Sequence, residues 1–197
     1  MTAPNPTFAE RIGLSRFLRD LRAQRRRYRQ FVGIAFLILL TILGTPRADW
    51  FFIGVGFAAV GLLIRLWASG YVLKDKQLAT TGPYAFVRHP LYVGNHLVTL
   101  GFCLASGLWW SFLVWLALLA FFYPQTIRDE DQLLARLFPE QWAAWSREVH
   151  AQIPRLTPWR GQWRGQWSLF LSLKRNGEPI IVAVLTAFLY ILYARLP

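Results

Sequence analysis

Cysteine is nearly missing from this chain of 197 residues, in which Cys103 stands alone. One thiol inside an apolar run builds neither a disulfide framework nor a cysteine-based metal site within one chain, so no metal is expected. It also leaves the redox compartment unread. Charge is scarce as well: Asp, Glu, Lys and Arg make up 16% of the residues, against about 25% in an ordinary soluble domain. Apolar residues reach 55%, and mean hydropathy is +0.31. That balance points away from a soluble domain and toward a membrane. Acid is scarcer than base, 10 residues against 22. In a soluble protein such an excess suggests nucleic acid, but here the basic residues flank long apolar runs, so lipid headgroups are the expected counter-charge. A small-residue cleavage site is missing after the first apolar run, which begins near Phe31, and no removed signal peptide is expected.

Five apolar segments are present, at 31–45, 50–73, 91–107, 108–126 and 180–196. Each is near the ~20 residues that cross a bilayer, the first and third being short. The expectation is an all-α integral membrane protein of about five transmembrane helices. The link at 45–49 is tight and no polar linker surrounds Gly107, so both neighbouring pairs should be antiparallel hairpins. Residues 1–30 hold eight basic residues, 74–90 three and 128–178 eight. Cytoplasmic flanks retain Lys and Arg. The N-terminus is therefore expected in the cytoplasm, within the inner membrane if the source is bacterial, and the C-terminus on the opposite side. The resulting divisions are a basic cytoplasmic arm (1–30), a transmembrane core (31–158), a Trp/Arg-rich interfacial segment (159–178) and a C-terminal span (179–197). Arg65, inside the second span, either snorkels to the headgroups or faces an intramembrane cavity.

In the arm, Leu14, Phe17, Leu18 and Leu21 recur at helical spacing with Arg16, Arg19, Arg22, Arg26 and Arg29 largely elsewhere. An interfacial helix meeting anionic lipid fits this pattern, as does a topology signal without a specific partner. The repeat PWRGQWRGQW at 158–167 reads as an interfacial Trp belt. A nucleic-acid stacking surface is not expected on a membrane-embedded chain.

The stretch GPYAFVRHPLYVGN, residues 82–95, lies between two apolar segments. Pro90 suits the first turn of a helix, because its absent N–H needs no partner there, so the third span should begin at His89-Pro90. Arg88 and His89 then sit beside the positive helix end, forming an anion site. Tyr84 and Tyr92 offer hydroxyls or aromatic walls, and Gly94 permits close approach of another helix. After the fourth span comes Arg128-Asp129-Glu130-Asp131, followed by Leu133, Leu134, Leu137 and Phe138, with Pro139 ending that helix. Both groups face the cytoplasm in this topology and can meet at one pocket.

These residues carry a resemblance. The string 82–94, then Arg128-x-Glu130-Asp131-x-x-Leu134-x-x-x-Phe138, Trp142, Trp145 and Pro154, resembles the isoprenylcysteine carboxyl methyltransferase family and the related phospholipid methyltransferases, over residues 50–158. Departures are Asp131 in place of a common Glu, Pro139 in place of Gly, and Trp142 and Trp145 in place of Tyr. The resemblance implies methyl transfer from S-adenosylmethionine, held in a cytoplasm-facing pocket without a glycine-rich Rossmann loop. It implies that Arg88, His89 and the start of the helix at Pro90 hold the carboxylate or ribose, that Glu130 and Asp131 take cationic or donor groups, and that Tyr84, Tyr92 and Trp145 wall the adenine. His89 and Glu130 are the candidate bases, and Arg65 would attract the anionic end of the acceptor. A carboxylate acceptor on a lipid-like molecule is ionised at neutral pH and needs no base, whereas an ammonium acceptor would need one. Two rival readings stand beside this one: a membrane reductase of the sterol-reductase type using a nicotinamide cofactor, and a non-catalytic scaffold whose arm and Trp-rich loop bind lipid or a partner protein.

Overall fold

A computed structural model describes residues 14–71, 77–175 and 177–197, without the side chains of 14–27, 174 and 175. Every regular element among the described residues is helical. The chain divides into two compact units, residues 1–36 and 37–197. Helix α1 (Leu14–Leu43) begins in the first and ends in the second, with no helical break at position 30, where the sequence suggests an arm giving way to a span. Arg16, Arg19, Arg22 and Arg26, expected to meet anionic lipid, lie outside the residues whose side chains are described.

The second unit continues with α2 (Ala48–Ser69), a 3-10 turn (Gly82–Ala85), α3 (Pro90–Ser106), α4 (Trp110–Leu137), α5 (Pro139–Ser146) and α6 (Glu178–Tyr193). Helices α2 and α4 are long and apolar enough to cross a membrane, yet only 28% and 17% of their apolar windows are buried. The core helix of a soluble domain would bury most of that surface. Phe52, Val60 and Leu63 on α2, and Leu113, Leu116 and Phe121 on α4, instead face outward. Membrane lipid is the medium that suits them. Two further apolar helices, Tyr28–Leu43 and Glu178–Tyr193, are shorter.

What joins α2 to α3 is a seam of small residues. Gly54 and Gly61 are seven apart on α2, as are Gly94 and Gly101 on α3, and the two pairs meet reciprocally in antiparallel order. A Cβ built on Gly61 would lie 2.6 Å from the Gly94 carbonyl oxygen, and one on Gly101 would lie 2.5 Å from the Gly54 carbonyl oxygen. Backbone therefore packs on backbone, and the close approach expected of Gly94 is present on both helices. In lipid, where apolar side chains gain little by leaving their solvent, such close contact supplies much of the association energy.

At one end of the bundle the links cross each other. Thr45 N–H donates to the Ser106 carbonyl at 2.8 Å, and Gly107, in a left-handed conformation at φ 70°, closes α3 against Thr45. Arg195 Nη1 donates to the carbonyls of Thr41 and Ile42 at 2.9 and 2.8 Å, satisfying acceptors that a helix C-terminus leaves open. At the opposite end lies a core of Tyr84, Trp142, Trp145, Val149 and Trp159 with Ala68, Leu78 and Ala85. Helix α4 has 28 residues. At 1.5 Å per residue it is about 42 Å long against a hydrocarbon layer of about 30 Å, so it has length to spare beyond a crossing. Its last turns, with Glu130 and Asp131, pack against this aromatic end through Leu134 and Ala135.

Candidate functional site

Pro90 occupies the first turn of α3 and His89 caps it, as the sequence predicts. The preceding backbone is held by the chain after α5: Arg88 N–H donates to the His150 carbonyl (2.9 Å), His89 N–H to the Ala151 carbonyl (3.0 Å), and Arg155 N–H to the Phe86 carbonyl (2.9 Å). Those amides are therefore engaged within the protein. The side chains, more than the helix end, provide the charged surface of the site.

Five of the expected residues meet directly. The His89 side chain, 5% exposed, places Nε2 2.9 Å from Asp131 Oδ1 and Nδ1 3.7 Å from Glu130 Oε2. Arg88 Nη2 lies 3.2 Å from Asp131 Oδ2. The guanidinium also stands over the Trp142 ring, 5.3 Å from its centroid, an arrangement that favours a cation. Tyr92 stacks on His89 at 5.3 Å and donates its hydroxyl to Glu130 Oε2 at 2.6 Å. Glu130 is the most open member, with a side chain 38% exposed. Arg88 Nε is buried without a hydrogen-bond partner among the described residues. An unsatisfied buried donor is costly, and here it belongs to a cation inside a charged cluster.

Tyr84 and Trp145 lie beneath this group. Trp145 is 1% exposed and gives its indole N–H to the Tyr84 carbonyl at 3.1 Å. It is thus part of the floor; an adenine wall would need an open face that it does not have. Burial pushes the Tyr84 hydroxyl well above the ordinary tyrosine range, and the nearby Glu130 and Tyr92 push the same way. It remains a neutral donor throughout the physiological range.

Arg65 belongs to a separate cluster. Its Nη2 and Nε donate to Glu178 Oε1 and Oε2 at 2.8 and 3.2 Å, and Nη1 donates to Asn95 Oδ1. With its charge matched by a buried carboxylate, Arg65 is poorly placed to attract an anionic acceptor, and the expectation from the sequence needs revision there. Sequence reading overlooked Glu178 and Asn95. It set His96 aside as a base because it lies inside the third span, and it overlooked Tyr123, whose ring meets that of His96 at 4.2 Å, and Gln152, whose amide reaches His96 at 2.7 Å. A carboxylate opening an otherwise apolar helix is the signal that marks Glu178; the others give no pairing that spacing alone reveals.

Residues 50–141 match the family model described as phospholipid methyltransferase. The cobalt-zinc-cadmium resistance protein CzcN of Cupriavidus metallidurans is 37% identical over 163 residues, covering 76% of this chain and 73% of that protein. The nickel-cobalt-cadmium resistance protein NccN of Alcaligenes xylosoxydans xylosoxydans is 40% identical over 141 residues, 66% of this chain and 65% of its own length. The protein-S-isoprenylcysteine O-methyltransferase of Schizosaccharomyces pombe is 36% identical over 81 residues, 41% of this chain and 34% of the yeast enzyme. The chain belongs to the phospholipid and isoprenylcysteine methyltransferase family. No solved structure matches it. The methyltransferase match contains Arg88, His89, Tyr92, Glu130 and Asp131, and ends before Trp145 and Glu178. Arg88, His89, Glu130 and Asp131, whose side chains the fold brings together, are therefore all within the methyltransferase region.

Proposed function

We propose that this protein is an integral membrane enzyme that uses S-adenosylmethionine to methylate a lipophilic acceptor, at a carboxylate or a lipid headgroup atom. The observation that carries this reading is the Arg88–His89–Glu130–Asp131 cluster, with Arg88 Nε buried and unpartnered among the described residues. The cluster sets the Arg88 cation against two carboxylates, and the amino-acid end of the cofactor is a zwitterion that matches both signs. The orphaned donor fits an anionic group, and the more open Glu130 fits an ammonium. When bound, the cofactor supplies a methyl group already activated by its sulfonium. Arg88 holds the carboxylate, Glu130 holds the ammonium, and Tyr92 fixes Glu130 by its hydroxyl. His89, braced by Asp131 and stacked on Tyr92, fixes the orientation of this wall. Positioning then supplies much of the rate.

In this reading the apolar part of α1 and helices α2, α3, α4 and α6 cross the membrane with the N-terminus cytoplasmic, so the site opens to the cytosol. The names of the bacterial relatives state a resistance phenotype and no reaction. The yeast relative's name states O-methylation at an isoprenylcysteine, a carboxylate on a lipophilic molecule, which agrees with the chemistry proposed. Calorimetry on detergent-purified protein tests the cofactor. S-adenosylhomocysteine should bind with a heat that Glu130→Ala and Arg88→Ala abolish, and NADPH should give none. Heat with NADPH alone would favour a reductase and sink the methyltransferase reading. Radiolabelled methyl transfer into a lipid extract then identifies the acceptor.

A further inference from the structure

The repeat at 158–167 lies outside the methyltransferase match, and the proposed reaction does not use it. Its three tryptophans are not equivalent. Trp159 is buried and donates its indole N–H to Glu148 Oε1 at 3.1 Å. Trp167 donates its own to the Trp67 carbonyl at 3.2 Å. Between them the backbone is tied by Gly82 N–H to the Gln162 carbonyl at 3.1 Å. The outer two indoles fasten the repeat to the segment after α5 and to the end of α2, and the backbone bond from Gly82 holds it at the turn before α3, beside the Arg88 site. The middle one, Trp163, is exposed as Trp167 is, but its indole N–H has no hydrogen-bond partner among the described residues.

Each arginine of the repeat is folded onto the tryptophan before it. Arg160 Cζ lies 4.5 Å from the Trp159 ring centroid and Arg164 Cζ 4.3 Å from that of Trp163. Arg160 has φ 49°, a left-handed conformation that an L residue seldom adopts, and Gly161 follows at φ 70°. The backbone therefore turns sharply where the guanidinium folds back over the indole. Stacking fixes a guanidinium with its N–H edge free for hydrogen bonding. Among the described residues, neither arginine is within ion-pair distance of a carboxylate.

Residues 149–177 contain no Asp or Glu and five basic residues. Large apolar side chains on either side of the repeat are exposed, with Ile153 and the fully exposed Leu156 before it and Leu169 and Phe170 after it. Arginine edges, an amphipathic indole and apolar side chains together match the layered chemistry of a lipid interface, where phosphates lie above acyl chains. Nucleic acid would account for the arginines and the indole but not for this apolar margin.

We propose that the Trp-Arg repeat is a strap that binds anionic phospholipid at the membrane surface, with Arg160 and Arg164 taking headgroup phosphate and Trp163 seated at headgroup level. Native mass spectrometry of the full-length, delipidated protein in detergent tests it, with equimolar phosphatidylglycerol and phosphatidylcholine. No cofactor is present, so the outcome is separate from that of the methyl-transfer reading. Bound phosphatidylglycerol should exceed phosphatidylcholine by at least about fivefold. Arg160→Gln with Arg164→Gln should bring the ratio close to one, with the melting temperature retained. Trp163→Ala should lower occupancy by both lipids while keeping the preference. Equal binding by the unmodified protein, or full preference in the double variant, overturns the proposal. So does complete displacement of the lipid by 10 mM inorganic phosphate, which would indicate a site for free anion, or tight binding of a single-stranded oligonucleotide that the double variant loses. If the double variant does not purify, Arg164→Gln decides: at least a twofold fall in preference supports the strap, and no change overturns it.

Discussion

Two arginine–carboxylate clusters share the aromatic end of the bundle, and they differ in what they leave undone. Around Arg65, three nitrogens are matched by Glu178 and Asn95, drawing α2, α3 and α6 to one point. Around Arg88, Asp131 takes one terminal nitrogen, Trp142 covers the guanidinium, and Nε remains buried and unpartnered among the described residues. A closed cluster holds helices together. An incomplete one keeps capacity for a ligand. The carboxylates show the same contrast, since the side chain of Glu178 is 3% exposed and that of Glu130 is 38% exposed.

The closed cluster should be the more sensitive to a single substitution. Removing one partner of a buried pair leaves an uncompensated charge, at a cost of about 3–5 kcal/mol. Glu178→Ala should therefore lower thermal stability in detergent more than any single substitution in the Arg88 cluster. Replacing both partners, as in Arg65→Met with Glu178→Met, should restore most of the loss, because well-packed apolar groups often substitute for a buried ion pair at little net cost. A double variant as unstable as Glu178→Ala would show that the pair has a role other than joining helices.

The open cluster should respond in the reverse manner. Glu130→Gln keeps shape and removes charge at a partly exposed position, so stability should change by less than about 1 kcal/mol. Affinity for S-adenosylhomocysteine should fall about 10- to 100-fold, the range expected for a hydrogen bond to a charged group of about 1.5–3 kcal/mol. Tyr92→Phe deletes the hydroxyl that fixes Glu130 and should weaken binding by less, about fivefold, for a net hydrogen bond of about 1 kcal/mol. If Tyr92→Phe were more damaging than Glu130→Gln, the hydroxyl would have to contact the ligand itself.

The open cluster was more legible in the sequence than the closed one. Arg88-His89-Pro90 could be read as a charged helix start from proline chemistry, and Glu130-Asp131 as its acidic counterpart from topology, because both lie in short strings beside long apolar runs. Glu178 is 113 residues from Arg65. It stands beyond the Trp-Arg repeat, and no local spacing relates the two. Gly94 could be read as a contact point. Its partner Gly61, by contrast, follows only once the register of α2 against α3 is known. Trp145 shows the opposite difficulty: its aromatic character suited a wall, and only burial shows it to be a floor.

The smallest expected effect lies where the cytoplasm-facing segment of the proposed topology is pinned beside the open cluster. Glu148 accepts hydrogen bonds from Trp159 Nε1 and Arg155 Nη1, and these, the Trp159 bond foremost, hold its carboxyl below its ordinary value. A carboxyl lowered in the folded state contributes stability that is fully present above its unfolded pKa and is lost as pH falls through its folded one. Attachment of the repeat should therefore be unchanged between about pH 5 and 8 and loosen only below the ordinary carboxylate range. Hydrogen exchange at residues 159–163, corrected for the intrinsic pH dependence of the chemistry, should show protection falling in acid, and Glu148→Gln should remove that pH dependence. Because the carboxylate is largely solvated, the change should remain local and leave the melting of the spans unaffected. If acid instead loosened 88–89 and 150–151 together with the repeat, Glu148 would be supporting the open cluster as well, and strap and site would form one cooperative unit.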